Sequence, residues 1–109
     1  MDDRVEISRV LLDNGIMPNL KGYRYCFDIL LMLREKNIGM KNCYIDLGKK
    51  YGILPNSIEK GILNSIEKAF CRQDIQKKYQ SLCLESGKIS NKKFLLLLSE
   101  ELKAKIKRV

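Results

Sequence analysis

The sequence predicts an all-α fold: a compact six-helix domain containing a helix-turn-helix. Three observations carry that expectation. Ile58, Ile62 and Ile66 recur at a spacing of four, which makes one buried stripe along a helix. Just ahead of them, Tyr44, Leu47 and Tyr51 mark a shorter helix that Gly52 ends, because glycine tolerates φ > 0. No window alternates apolar and polar residues cleanly enough for a long strand, and two prolines, seven glycines and no tryptophan suit a helical chain.

In chain order, residues 4–14 predict an amphipathic helix with Ile7, Val10 and Leu11 inward, ended by Asn14-Gly15. Pro18 bars its continuation. Residues 21–36 predict a second helix, with Tyr23, Phe27, Leu30, Leu31 and Arg34 on or near one face, stopped by Asn37 and Gly39. A third helix is expected to start at Asn42 or Cys43 and end at Gly52, with the small Gly48 where two helices approach and Ile53 plugging the corner. Pro55 fits the first turn of the fourth helix, where its missing N–H costs nothing, and that helix is expected to reach Arg72. Together residues 43–71 form the core of the helix-turn-helix. Gly61 costs about 1 kcal/mol relative to alanine inside a helix, so it points to close packing, expected here against the preceding helix. A shorter helix covers 75–82, Ser86-Gly87-Lys88 is a loop, and Ser90 is the N-cap of a last helix through Phe94, Leu97, Leu98, Leu102 and Ile106.

At 109 residues the chain is one domain, 1–109, and its hydrophobic fraction of 45% argues against disorder. The net charge is +8, and it is uneven. Residues 1–35 sum to −1, residues 36–85 to +4 and residues 86–109 to +5, so the positive charge begins where the helix-turn-helix begins. A polyanion partner accounts for this, since each neutralised phosphate releases counterions; a soluble, lysine-rich surface is the competing account. The longest apolar run, Phe94–Leu98, is far too short to span a bilayer, and no signal segment opens the chain, so a cytoplasmic protein without membrane contact is expected. Cys26, Cys43, Cys71 and Cys83 form no C-x-x-C pair and there is no histidine; free, mostly buried thiols are expected, with no metal or other cofactor. The five tyrosines sit at core spacings, with hydroxyls expected at the surface. The Phe94–Leu98 run covers more than one helix face, so a partner subunit is expected to bury part of it.

The segments Gly-Ile-Met-Pro-Asn-Leu-Lys-Gly-Tyr-Arg-Tyr (15–25), Leu-Gly-Lys-Lys-Tyr-Gly (47–52), Ser-Ile-Glu-Lys-Gly-Ile (57–62) and Ser-Asn-Lys-Lys-Phe-Leu (90–95) resemble the C-terminal DNA-binding domain of the stage-zero sporulation protein A family. The resemblance runs from about residue 7 to 107, and the Pro-x-x-Lys-Gly-Tyr segment is its most specific part. It implies a six-helix effector domain whose fourth helix recognises double-stranded DNA, as a dimer or in tandem, in transcriptional control of sporulation. The family's regulator carries a phosphorylated receiver domain ahead of this one; here a stand-alone effector domain is expected. Carried over by position, the family's first DNA-reading arginine falls on Ser57, its Glu-Arg pair on Glu59 and Lys60, and its histidine on Asn64, while a neighbouring basic position becomes Leu63. Only Glu59 is unchanged, and Lys60 lacks the bidentate fork that arginine offers guanine.

The base-reading candidates are therefore Glu59, Lys60, Leu63 and Asn64. Asn64 suits adenine N6 and N7, Lys60 guanine O6 or N7, Glu59 cytosine N4, and Leu63 a thymine methyl. Candidates for the DNA backbone are Asn56 and Ser57 at the helix start, Lys49 and Lys50 before the turn, Lys21 and Arg24 on the second helix, and Lys88, Lys92 and Lys93 near the last one. The leading expectation is a sequence-specific transcription regulator. The alternative is a protein-interaction module that pairs with a full-length regulator, which Leu63 on the presumed DNA face favours. No histidine, glycine-rich phosphate loop or nucleophile–base arrangement points to an enzyme or to a small-molecule substrate.

Overall fold

The computed structural model describes residues 3–83 and 88–107. They form α1 (Asp3–Asp13), α2 (Lys21–Glu35), α3 (Met40–Tyr51), α4 (Pro55–Ala69), α5 (Gln73–Tyr79), a 3-10 turn (Gln80–Leu82) and α6 (Asn91–Lys107). No strand occurs among the described residues. Ser86 and Gly87 of the expected loop lie outside them.

α1 buries Ile7, Val10 and Leu11, the three residues its periodicity selects. It ends in a complete Schellman motif: Gly15 takes φ 82°, its N–H donates to the Leu12 carbonyl at 3.0 Å, and Ile16 N–H reaches back to Leu11 at 2.9 Å. The motif swings the fully buried Ile16 into the core. Asn14, also fully buried, uses all of its hydrogen-bonding capacity at this corner. Its Nδ2 donates to Val10 O at 2.7 Å and to Glu101 Oε2 at 2.8 Å. Its Oδ1 accepts from Lys78 Nζ at 2.8 Å and from the Tyr79 hydroxyl. One side chain thus ties α1 to both α5 and α6.

α2 turns inward a face rotated from the one expected, with only Leu30 common to both. Gly22, Tyr25, Cys26, Ile29 and Leu30 are buried, whereas Tyr23, Phe27 and Leu31 are half-buried and Arg34 pairs with Asp3 at 3.1 Å. The reason is α4, the element α2 packs against most extensively. The two helices cross on small residues: a Cβ on Gly22 would lie 1.9 Å from Ser65 Oγ, and one on Gly61 would lie 2.8 Å from the Tyr25 ring. Gly61 therefore packs against α2, not against the preceding helix.

α3 starts at Met40, earlier than expected, because Gly39 serves as an extended N-cap and Met40 itself is buried. At its other end Gly52 adopts φ 68°, and both Gly52 and Ile53 N–H groups turn back to the Gly48 carbonyl. A Cβ on Gly48 would lie 2.7 Å from the Ile53 carbonyl oxygen, so Gly48 admits the turn backbone rather than another helix. Ile53 does not plug the corner: it remains 38% exposed. α4 stops at Ala69, short of Arg72, and Phe70 drops into an aromatic cluster with Tyr79 and Phe94 at centroid distances of 5.9 and 6.1 Å. α5 ends at Tyr79 and tightens into the 3-10 turn. Ser90 caps α6, its Oγ accepting from Lys93 N–H at 3.2 Å. Of the apolar run, Phe94, Leu95 and Leu98 are buried within this chain, and Leu96 is exposed.

The hydroxyls of the buried Tyr79 and the half-buried Tyr51 are bonded to side chains of this chain. Tyr51 donates to Asp28 and Tyr79 to Asn14. Burial raises both above the ordinary value of 10.0, helped by Asp28 beside Tyr51 and Glu101 near Tyr79. Unfolded tyrosines lose protons as the pH passes about 10 while these two keep theirs, so the unfolded state binds fewer protons and stability falls with rising pH. Urea midpoints measured from about pH 8 upward should drop in the wild type and drop less in Tyr79→Phe. An equal drop in both proteins would remove Tyr79 from this account.

The cysteines are free but only partly as expected. Cys26 and Cys43 are buried, Cys83 is half-buried and Cys71 is exposed. Burial pushes the Cys26 thiol up to about 12 and also raises Cys43, with Asp46 adding to the latter. A thiol reagent at neutral pH should label Cys71 first and Cys26 only after unfolding, read by mass spectrometry of the digested protein. Labelling of Cys26 at the rate of Cys71 would contradict the packing.

Candidate nucleic-acid interface

The candidate interface is built on α4. Its inward stripe of Ile58, Ile62, Ile66, Ser65 and Ala69 leaves Asn56, Ser57, Lys60, Leu63, Asn64 and Glu67 exposed on the opposite arc. Helical geometry puts Lys60 near the middle of that arc, with Asn64 one turn further along. Lys60 has no ion-pair partner among the described residues. Pro55 stands at the first helical position and Leu54 at the N-cap, where no side chain caps the free amides.

Two walls flank this arc. On one side the first turn of α2 brings Lys21 to a cleft of about 470 Å³ shared with Asn64, Lys68 and Glu67. On the other, the start of α6 packs beside α4: Asn91 Nδ2 donates to the Glu59 carbonyl at 3.0 Å, and Lys88 Nζ lies 3.9 Å from Glu67 Oε1. Met40, Tyr44, Leu63 and Lys92 line a shallow groove there, with Lys41 and Glu59. Burial raises the Tyr44 hydroxyl above its ordinary value, so it stays protonated.

The sequence-derived candidates divide accordingly. Lys60, Asn64, Leu63, Asn56 and Ser57 share the exposed arc. Glu59 is displaced toward the α6 wall and faces the groove with Tyr44, Asn91 and Lys92. Lys49 and Lys50 occupy the last turn of α3, where Lys50 is engaged by Asp28 at 3.1 Å and Lys49 is exposed. Lys21 and Arg24 border a second open groove, of about 590 Å³, with Tyr51 and Ile53. Lys93 is exposed on the first turn of α6. Two basic residues on these walls escaped the sequence reading. Lys68 follows Lys60 and Asn64 at the same spacing of four, a signal that was available. Lys41 carried none, because its place depends on how α3 meets α6.

Among the described residues no group of three or more His, Cys, Asp or Glu side chains is placed to hold a metal ion, and no helix is long and apolar enough to cross a membrane. No solved structure matches this one. A family model described as "Sporulation initiation factor Spo0A C terminal" matches residues 7–102, from the first inward residue of α1 to the fully buried Leu102 of α6. With nearly the whole chain covered and an all-helical architecture, the protein belongs to the Spo0A C-terminal family of helical DNA-binding domains.

Proposed function

We propose that the domain is a sequence-specific regulator of transcription that binds double-stranded DNA in the cytoplasm and places α4 in the major groove. The observation that carries this reading is the exposed arc of α4 between two lysine-bearing walls, one from α2 and one from α6. Phosphate contacts position a protein on DNA and base contacts specify the site. In this reading Lys60 and Asn64 meet base edges, Leu63 meets a thymine methyl, and Glu59 reaches a base only at the edge of the footprint. Asn56 and Ser57 meet phosphate at the start of α4. Lys21, Arg24, Lys49, Lys68, Lys88, Lys92 and Lys93 grip the backbone on either side, with Lys50 contributing less because Asp28 holds it. Binding involves no catalysis and no cofactor, and two copies occupy their site as a dimer or in tandem.

A second reading rests on the groove in which Leu63 of α4 joins Met40 and Tyr44 of α3: an apolar strip between the two helices suits a protein partner, such as a full-length regulator of the same family. One experiment separates the two. The protein is titrated against a random double-stranded DNA pool at two salt concentrations, and the retained fraction is sequenced. A motif that survives the higher salt supports the regulator. Retention without a motif, lost as salt rises, reduces the protein to a basic surface. No retention leaves the protein partner.

A further inference from the structure

The tip of the helix-turn-helix is apolar. Leu54 is 72% exposed, the most exposed of the large hydrophobic residues described, and it follows Ile53, itself 38% exposed. It occupies the N-cap of α4, a position that favours Ser, Thr, Asp or Asn because their oxygens satisfy the free amides. Leucine supplies no such oxygen, and no side chain caps this helix. Pro55 then removes one amide altogether. Just ahead of Asn56 and Ser57, the N-cap presents a branched aliphatic side chain in extended backbone (φ −72°, ψ 148°), anchored by its own carbonyl, which accepts from Ser57 N–H at 2.9 Å.

We infer that Leu54 is a specificity determinant that reads the C5-methyl group of one thymine. The inference rests on the major-groove reading proposed above. In a helix-turn-helix the N-terminal residues of the second helix are those nearest the base edges, and an aliphatic side chain there has one distinctive major-groove partner, the thymine methyl. No acidic residue lies between Ile53 and Ser57 to push the phosphate backbone away. Leu54 thus adds an apolar contact at one end of a surface whose centre is the polar pair Lys60 and Asn64.

The test starts from a DNA sequence retained by the wild-type protein. Each thymine is replaced singly by deoxyuridine, which deletes only the methyl group, and affinities are measured for the wild type, Leu54→Ala and Leu54→Ser. One replacement should weaken the wild type about fourfold, the worth of one methyl-sized group withdrawn from water. The same replacement should have no effect on either variant. Leu54→Ser controls for folding, since serine caps α4 and should raise the Tm while discrimination is lost. Equal sensitivity to every thymine methyl in all three proteins overturns the inference and leaves major-groove reading intact. Failure of the wild type to retain any sequence overturns both.

Discussion

Gly22→Ala should destabilise the domain by about 3 kcal/mol or more, a large part of the roughly 5–15 kcal/mol that holds a small domain together. The new Cβ would lie 1.9 Å from Ser65 Oγ, 2.4 Å from the Gly61 carbonyl oxygen and 2.7 Å from Ser65 Cβ. A serine side chain can rotate away, but the Gly61 carbonyl belongs to the backbone of α4 and cannot. α2 and α4 must then separate, which opens the core where Tyr25, Cys26 and Ile62 are buried. The helical preference of alanine over glycine, worth about 1 kcal/mol, is too small to compensate. Gly39→Ala is the control, because a Cβ there meets nothing within 4 Å. Urea unfolding of both variants reads the difference. A Gly22→Ala protein as stable as Gly39→Ala would mean that the helices do not cross this closely.

Lys60→Ala should weaken binding to the retained DNA sequence roughly 5- to 150-fold and relax preference at one base pair, as the loss of a good base contact does. Lys60 stands at the middle of the exposed arc and spends none of its charge on an ion pair among the described residues. Lys49→Ala should behave differently. It should weaken all sequences alike and lower the slope of log affinity against log salt by about 1, the mark of a phosphate contact. Lys50→Ala should do less than Lys49→Ala, because Asp28 already neutralises Lys50 at 3.1 Å. Competition binding over a series of single-base variants at several salt concentrations separates these effects. If Lys60→Ala and Lys49→Ala both bind as the wild type does, α4 does not read the groove.

Family membership gives these predictions their setting. The Spo0A C-terminal match spans α1 to α6, so the helices around the interface all belong to the matched region. The four positions that the resemblance singles out, Ser57, Lys60, Leu63 and Asn64, are all exposed on the outer arc of α4. The buried stripe of Ile58, Ile62 and Ile66 keeps the packing of the helix independent of that arc. A change in side chains there can alter the DNA sequence preferred while leaving the fold in place, because the two faces of one helix answer to different constraints.

By itself the sequence determined what depends on neighbours along the chain. The inward residues of α1, its stop at Gly15, the closure of α3 at Gly52, the start of α4 at Pro55 and its isoleucine stripe all follow from a period of 3.6 and from the few residues that accept special backbone angles. The exposed arc of α4 follows from the same stripe, being its complement. Only the tertiary structure decided what depends on residues distant in the chain. Periodicity shows that α2 is amphipathic, but the crossing with Gly61 and Ser65 selects Gly22, Tyr25 and Cys26 as the face that is buried. Asn14 looked like a helix stop and nothing more; Lys78, Tyr79 and Glu101 make it a buried junction of three helices. Glu59 and Lys60 point about 100° apart on the helix, and the docking of α6, with Asn91 bonded to the Glu59 carbonyl, decides that Glu59 faces a wall and Lys60 the open arc. Local patterns record which face of a helix is apolar; which partner that face meets is set by packing free energies among elements far apart in the chain, and no local pattern encodes them.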